Sequence, residues 1–556
     1  MDRDHRRTLD GVRVAQVARI PFLPADERRS VLDRAHRGDI VGGLGRVDLV
    51  DSGPRRSLRR RVATLAAIMG PGIVVMVADN DAGGVSTYAQ AGQEYGFRLV
   101  WLLVLLAPVL FVNQEMVARL GAVTGVGHAR LIYERFGRRW GMFALTDLVL
   151  LNFLTIVTEF IGVALALGYF GISKYVAVPF AAVGLAVATA TGSFRRWERT
   201  MFVLVALSLL AIPLAVLTRA HSDVLHVTPS AAASGHLGGG TVVFVIALIG
   251  TTVAPWQLFF QQSYVVDKRI TPRWINYERA DTMLGTVLFS VGAIAVMATC
   301  AIALRSSAMH EAFSDARHVA EGLRDQAGPW QAGLFAAILL TGSILGAAAV
   351  SLATSYAVGD VLGTKHSLHR GWRDAPAFHG SFVLLIGVAA GIVLVPGAPL
   401  GVVTAGVQVL AGVLLPSATI FLLLLCNDVE VLGPWVNRRW LNVVTGSIVA
   451  TLVALSGLLI WSTLFGNVSP YTAISVIGVA MLSVPVALLR FKRQVRGKST
   501  RAQLRHDRAM WCMPALETLS PPARSIARTA WLVALRTYLV LGSVAVVAKV
   551  LRAIAH

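Results

Sequence analysis

The stretch Ala78-Asp79-Asn80-Asp81-Ala82-Gly83-Gly84, ADNDAGG in one-letter code, interrupts an apolar run from about Val62 to Ala91. An aspartate at the centre of a membrane helix costs roughly 2.5–3.5 kcal/mol on the gentlest scale, so such groups persist mainly where they line a cavity or bind something. The bland alternative is a carboxylate near a helix end that reaches the interface. The apolar sequence on both sides is long enough to place the motif well inside. Gly83 and Gly84 weaken the helix beside Asp81, and unwound backbone frees carbonyl oxygens that can point at an ion.

Composition agrees that a membrane surrounds this motif. The chain of 556 residues is 55% hydrophobic and only 15% charged, against about 25% charged in a typical soluble domain. Apolar segments near the roughly 20 residues needed to cross a bilayer recur along it. They lie at 62–92, 98–118, 141–170, 174–191, 200–218, 241–266, 282–304, 332–361, 380–397, 401–426, 441–464 and 470–489. Closely spaced spans with short connections predict one helical bundle over 61–490. Residues 1–60 are rich in Arg and Asp and lack the apolar core of a cleavable signal, so they read as a cytoplasmic extension. Within it, residues 26–32 fit either a short amphipathic helix or disorder. Residues 491–556 form a basic tail whose apolar portion, interrupted by Arg536 and Lys549, reads as an interfacial helix, with an extra span the weaker option. Three widely separated cysteines, Cys300, Cys426 and Cys512, support neither a disulfide framework nor a CxxC metal site.

The formal charge of +20 invites a nucleic-acid reading, but its distribution assigns it elsewhere. With the N-terminus inside, the connections expected on the cytoplasmic side carry Arg119, Arg130, Arg135, Arg138 and Arg139, then Arg195, Arg196 and Arg199, then Lys268, Arg269, Arg273 and Arg279, and later Lys365, Arg370, Arg373, Arg438 and Arg439. The opposite loops are sparse in positive charge. This is the positive-inside pattern, and the partner it implies is a lipid bilayer rather than nucleic acid. No obligate protein partner is expected.

A second interruption falls in the sixth span, at Gly250-Thr251-Thr252-Val253-Ala254-Pro255-Trp256-Gln257. Proline there has no N–H to give and its ring blocks the helical ladder. Broken first and sixth spans are the pointer to two inverted five-helix repeats with a binding site near the bilayer midplane, which predicts a transporter. Catalysis would ask for clustered His and acidic residues such as HExxH, which the sequence lacks; a sensor would ask for a larger soluble domain than the extension offers. No enzymatic activity and no cofactor are expected.

At this point the ordered motifs resemble the NRAMP family of divalent-metal transporters. The resemblance is carried by Gly70-Pro71-Gly72 before the Asp81 motif, Ala118-Arg119-Leu120-Gly121, Glu159-Phe160-Ile161-Gly162, Val407-Gln408-Val409 before Leu415-Pro416, and Asn427-Asp428-Val429-Glu430 before Val436-Asn437-Arg438-Arg439-Trp440. It covers roughly residues 62–490. It implies an all-α, leucine-transporter-like fold with two inverted five-helix repeats plus additional C-terminal spans, and a metal held between the broken helices.

The departures carry the substrate expectation. Where the family has Asp-Pro-Gly-Asn, this chain has Asp81-Ala82-Gly83-Gly84, so the carboxylate stays and the amide is gone. Where the family has Met-Pro-His-Asn, it has Ala254-Pro255-Trp256-Gln257, and the thioether is gone. Oxygen-only surroundings suit Mg, Ca and Mn, whereas soft sulfur favours other transition metals. Magnesium gives up water reluctantly. The pattern resembles the NRAMP-related magnesium transporters and implies a roomy site for Mg2+, with Mn2+ also accepted. The implied metal-site residues are Asp81 as charged ligand, the Thr251 carbonyl, the Gln408 amide, Gln257 as an additional oxygen, and Gly84 and Ala254 by being small. Asp79 and Asn80 either line the entrance or cap the helix after the break. The family's relay histidines are Trp256 and Gln261 here, and the acid three residues before Glu159 is Ile156, so transport without proton coupling is expected. The alternative is a proton-coupled Mn2+ or Fe2+ importer of the main family type; a sodium-driven organic-solute symporter of the same architecture ranks third.

Overall fold

The computed structural model describes residues 38–51, 53, 55–220, 239–304, 315–396 and 400–465, with short pieces of the tail at 469, 472, 475–483, 508, 511, 513–519, 529–533 and 535–537. The segment 26–32, half of the twelfth expected span and most of the basic tail lie outside the described residues. A two-stranded antiparallel hairpin, β1 (Ile40–Val41) and β2 (Arg46–Val47), precedes the bundle.

The first span is divided as the sequence asks. Helix α1 (Leu58–Ile68) meets α2 (Pro71–Val77) at 53°, and α3 (Ala82–Gln90) follows after the break at 78–81. Gly70, at φ +149°, makes the first bend, in a region of backbone space open essentially to glycine. After wide and tight turns over 91–99 the second span runs as α4 (Val100–Thr124). A short helix, α5 (His128–Phe136), leads into α6 (Arg138–Tyr169), the third span. The fourth is α7 (Lys174–Ala190), and the fifth is α8 (Phe194–Ser208) continuing as α9 (Ala211–Ala220).

The second set begins with another divided span, α10 (Gly239–Thr252) and α11 (Pro255–Asp267). Pro255 opens α11 at its first turn, where a missing N–H costs nothing, and by the same absence strips Thr251 of the partner its carbonyl would have in a continuous helix. The seventh to tenth spans are α12 (Ile275–Ala303), α14 (Pro329–Leu362), α15 (Pro376–Val393) and α16 (Leu400–Leu425), with α13 (Ala316–Gln326) lying between the first two of these. After the short α17 (Val429–Leu432), α18 (Arg439–Phe465) is an additional C-terminal span.

Contacts between the two sets repeat with exchanged roles. Half of the broken first span, α2, packs on the seventh, α12, as half of the broken sixth, α11, packs on the second, α4; the third and eighth, α6 and α14, pack on each other. That exchange is what a pseudo-twofold between two five-helix units produces.

Several charges expected in cytoplasmic connections are instead structural. Arg119 lies inside α4, 3% exposed, with Nη2 2.6 Å from Asn437 Oδ1, a bond to the Trp435 carbonyl, and Glu115 3.4 Å away. Arg135 is buried in α5 between Asp428 at 2.5 Å and Glu430 at 3.3 Å. Arg279 lies within α12 and bonds Glu115 at 2.6 Å. A buried guanidinium is stable only when paired; Arg119 and Arg135 are buried, and they find Asn437 and Asp428 far away in sequence, as the half-exposed Arg279 finds Glu115.

Lys268, also expected in a connection, is fully buried against Glu198 at 2.7 Å. Its Nζ donates to the Met69 carbonyl at 2.5 Å, while Glu198 also accepts from the Tyr264 hydroxyl at 2.7 Å and from the Gly43 N–H of the hairpin. Asp281 of α12 accepts from the N–H groups of Gly72 at 2.6 Å and Gly70 at 3.1 Å, satisfying donors that the start of α2 leaves without helical partners. The N-terminal end of the first span is thus fastened to the fifth, sixth and seventh spans.

Candidate metal site at the two broken spans

The site is set by what each break does to its neighbours. Asp81 is the N-cap of α3: its backbone is extended, and its Oδ1 accepts from the Gly84 N–H at 2.7 Å. The cap belongs to Asp81, so the capping expectation for Asp79 and Asn80 does not hold. Asn80 donates its side-chain amide to the Phe289 carbonyl at 3.3 Å instead. The Ala82 N–H, which would close a helical bond to the Ala78 carbonyl, donates to Glu159 Oε2 at 3.1 Å. The breaks therefore release carbonyls from the helical ladder, among them Ala78 in the first span and Thr251 in the sixth.

The break lies against α14 because that helix presents small residues. A Cβ on Gly346 would come 2.8 Å from Asp81 Cβ and 2.9 Å from Glu159 Cδ, and one on Gly342 would strike the Asn80 carbonyl. Glycines one turn apart let a neighbouring backbone approach closely. They also bring the Asp81 and Glu159 carboxylates together over one spot. Neither forms an ion pair among the described residues.

Residues from the first, sixth and tenth spans converge here. The Thr251 hydroxyl donates to Gln408 Oε1 at 2.8 Å and lies 3.5 Å from the Thr87 hydroxyl. The Gln408 amide nitrogen sits where any side chain on Gly83 would have to go. Gly84 is equally constrained, since its Cβ would come 2.5 Å from the Asp79 carbonyl. The small residue therefore serves close backbone packing rather than open space. Asp81, Gly84, Thr251, Ala254, Gln257 and Gln408 are all buried, and Asp81 is only 5% exposed.

Gln257 departs from expectation in a second way. Its Oε1 accepts from Gln114 Nε2 at 2.9 Å, so the oxygen expected to face an ion is occupied and the amide nitrogen turns toward Asp79. Gln114 was missed in the sequence, although Asn113-Gln114-Glu115 inside an apolar run was a signal of the same kind as ADNDAGG. Trp256 is buried and tilted against Phe260, with ring centroids 6.4 Å apart, so it packs the break. Gln261 donates to the Thr282 hydroxyl at 3.0 Å. Asp147 accepts from Ser417 at 2.6 Å beside a cavity of about 10 Å³ that Pro255 and Phe259 also line, room for about one water.

Every donor gathered at the two breaks is oxygen or amide nitrogen; no sulfur ligand stands among Asp81, Thr251, Ala254, Gln257 and Gln408. The sequence model of the family described as Nramp, natural resistance-associated macrophage protein-like, matches residues 72–462. The chain is similar to the divalent metal cation transporter MntH of Burkholderia ambifaria, 26% identical over 450 residues that cover 77% of this chain and 95% of that protein. It is also similar to MntH of Deinococcus radiodurans, 26% identical over 427 residues, covering 73% and 92%. Among solved structures, a manganese transporter from Eremococcus coleocola aligns with a TM-score of 0.60 at 18% identity, over 84% of this chain and 97% of that one, a likeness of fold.

Proposed function

The chain belongs to the Nramp family, whose members are membrane transporters and not enzymes, and from that premise we propose that it moves hard divalent cations across a membrane, Mg2+ first and Mn2+ as well. Its fold is the leucine-transporter-like one, with two five-helix repeats and an added C-terminal span. The ion sits between the two breaks, held by Asp81 with the Thr251 carbonyl and Gln408, and the small Gly84 and Ala254 leave out the amide and the thioether. Residues 61–490 are the transport domain, 1–60 a cytoplasmic extension and 491–556 a basic tail, with the Arg-rich connections facing the cytoplasm.

The observation that carries this reading is Asp81 itself: a buried carboxylate with no ion pair among the described residues, amid an oxygen donor set that matches Mg and Mn rather than thiophilic metals. Movement of two charges down a negative-inside potential supplies about 4.6 kcal/mol per 100 mV, which makes a proton gradient unnecessary. Proteoliposomes with an internal pH dye test this. Saturable Mg2+ and Mn2+ influx that rises with the potential and leaves internal pH unchanged is expected; Mn2+ entry without Mg2+, or acidification in step with the metal, contradicts it.

A second reading has its own observation. The Asp81 and Glu159 side chains meet over Gly346, and two carboxylates so placed can share a proton that an arriving cation displaces. On that reading the protein is a proton-coupled Mn2+ importer, and the dye reports it directly.

Selectivity gives a further expectation. Ala254 caps the start of α11 without a side-chain hydrogen bond, so Ala254→Met adds a thioether at the break without removing a bond. The Cd2+ to Mg2+ uptake ratio should rise on the order of tenfold, equivalent to about 1.4 kcal/mol. An unchanged Cd2+, Mn2+ and Mg2+ profile in a folded variant would detach residue 254 from the ion.

A further inference from the structure

The break of the first span holds a second carboxylate, Asp79, whose surroundings differ from those of Asp81, Glu159 and Asp281. Asp79 is 1% exposed, and neither of its carboxylate oxygens has a hydrogen-bond partner among the described residues. Asp81 gives one oxygen to the Gly84 N–H. Asp281 accepts from Gly70, Gly72 and Ile73, and Glu159 from Ala82. A carboxylate that supports a helix break does so by accepting such orphan N–H groups; Asp79 accepts none.

What faces it belongs to the site. The Gln257 amide approaches from the other broken span, and its Nε2 likewise has no partner in hydrogen-bond geometry. Asp81, two residues on, lies within electrostatic reach, as does the Tyr88 hydroxyl, which is also directed at Thr252. Asp79 and Gln257, both buried, therefore turn polar atoms toward each other across the two breaks, beside the Asp81 cap.

We propose that Asp79 is a second charged ligand of the transported cation, so that the loaded site is two carboxylates from one unwound turn around a divalent ion. The inference rests on the reading of this site as the place where the cargo binds. Asp79 adds a second negative charge from the same turn to the one that Asp81 brings, and in a low-dielectric interior the desolvation of a divalent ion and of each carboxylate is offset by the others. Two anionic oxygens favour a divalent over a monovalent cation. They also replace, with hard donors, the amide and thioether absent at Gly84 and Ala254, which sets the substrate class as small hard divalents.

The test uses the purified full chain and calorimetric titration with Mn2+ and Mg2+, alongside thermal unfolding without metal. Asp79→Asn keeps an oxygen that Gln257 can donate to and removes only the charge. It should weaken both ions by about 10- to 100-fold, at least the loss that substitutions behind the ligands themselves produce, with the metal-free unfolding temperature unchanged. Asp79→Glu keeps the charge and should bind within about tenfold of the parent. If Asp79→Asn binds like the parent while Asp81→Ala does not bind, Asp79 is no ligand although the site stands. If Asn and Glu lose binding equally and both unfold at lower temperature, Asp79 is a structural residue and the proposal falls. A parent chain that binds neither ion overturns this inference together with the reading beneath it.

Discussion

Asp81→Asn should fold as the parent does and lose divalent-cation uptake by about 100-fold or more, since even second-shell changes at metal sites cost 10- to 100-fold. The two consequences separate because Asp81 does two jobs. As N-cap it presents an oxygen to the Gly84 N–H at 2.7 Å, and asparagine caps helices as well as aspartate does. As ligand it supplies a charge, which asparagine cannot. Asp81→Ala loses both, and its lost cap costs about 1 kcal/mol, partly offset by removing a buried carboxylate. Uptake in proteoliposomes, with size-exclusion and circular dichroism on the same preparations, makes the comparison. Near-parental uptake by a well-folded Asn variant would mean that the ion is not held by this charge, and the proposed function would go with it.

Lys268→Met should destabilise the protein by about 3–5 kcal/mol, the usual cost of stripping one partner from a buried ion pair. Both side chains are fully buried, at 2.7 Å from each other. The substitution leaves Glu198 with only the Tyr264 hydroxyl and the Gly43 N–H, too little for a carboxylate without water. Adding Glu198→Gln should recover a large part of the loss, because the pair as a unit contributes far less than either half left alone. A double-mutant cycle by thermal or denaturant unfolding in detergent reads the coupling. A single-variant cost below about 1 kcal/mol would place the pair in contact with water.

Both breaks were legible in the sequence because their causes are local. Gly83-Gly84 beside Asp81, and Pro255 in an apolar run, act on their own backbone, and the divided helices end where those residues stand. The third, seventh and tenth spans could be placed, though not bounded: α6 and α12 begin several residues earlier than hydropathy suggests, with Arg138 at the exposed first position of α6 and Arg279 near the start of α12 paired to Glu115. The charges misassigned to connections have a different cause. A hydropathy window cannot distinguish a solvated Arg from a paired one, and Arg119 finds Asn437 318 positions away, Arg135 finds Asp428 293 away, and Lys268 finds Glu198 70 away. The size of the site was not legible either. Replacing large ligands by Gly84 and Ala254 says how much side chain is gone, but whether the helices then stand apart depends on their rigid-body arrangement, and here the Asp79 carbonyl and the Gln408 amide close in. The orientation of Gln257 hung on Gln114: the polar run Asn113-Gln114-Glu115 is visible in the sequence, but its pairing with a residue 143 positions away is not.

Glu198 is touched by a hairpin residue, by the Tyr264 ring and by a lysine that also grips the turn between α1 and α2. Three stretches of chain thus share one carboxylate as a common knot. Loosening any strand of it leaves the rest poorly satisfied, so this end of the bundle comes apart as a threshold event and not by degrees. The hairpin, tied to the same knot through Gly43, is a handle on that threshold: a displacement of the hairpin would be felt where the first span bends.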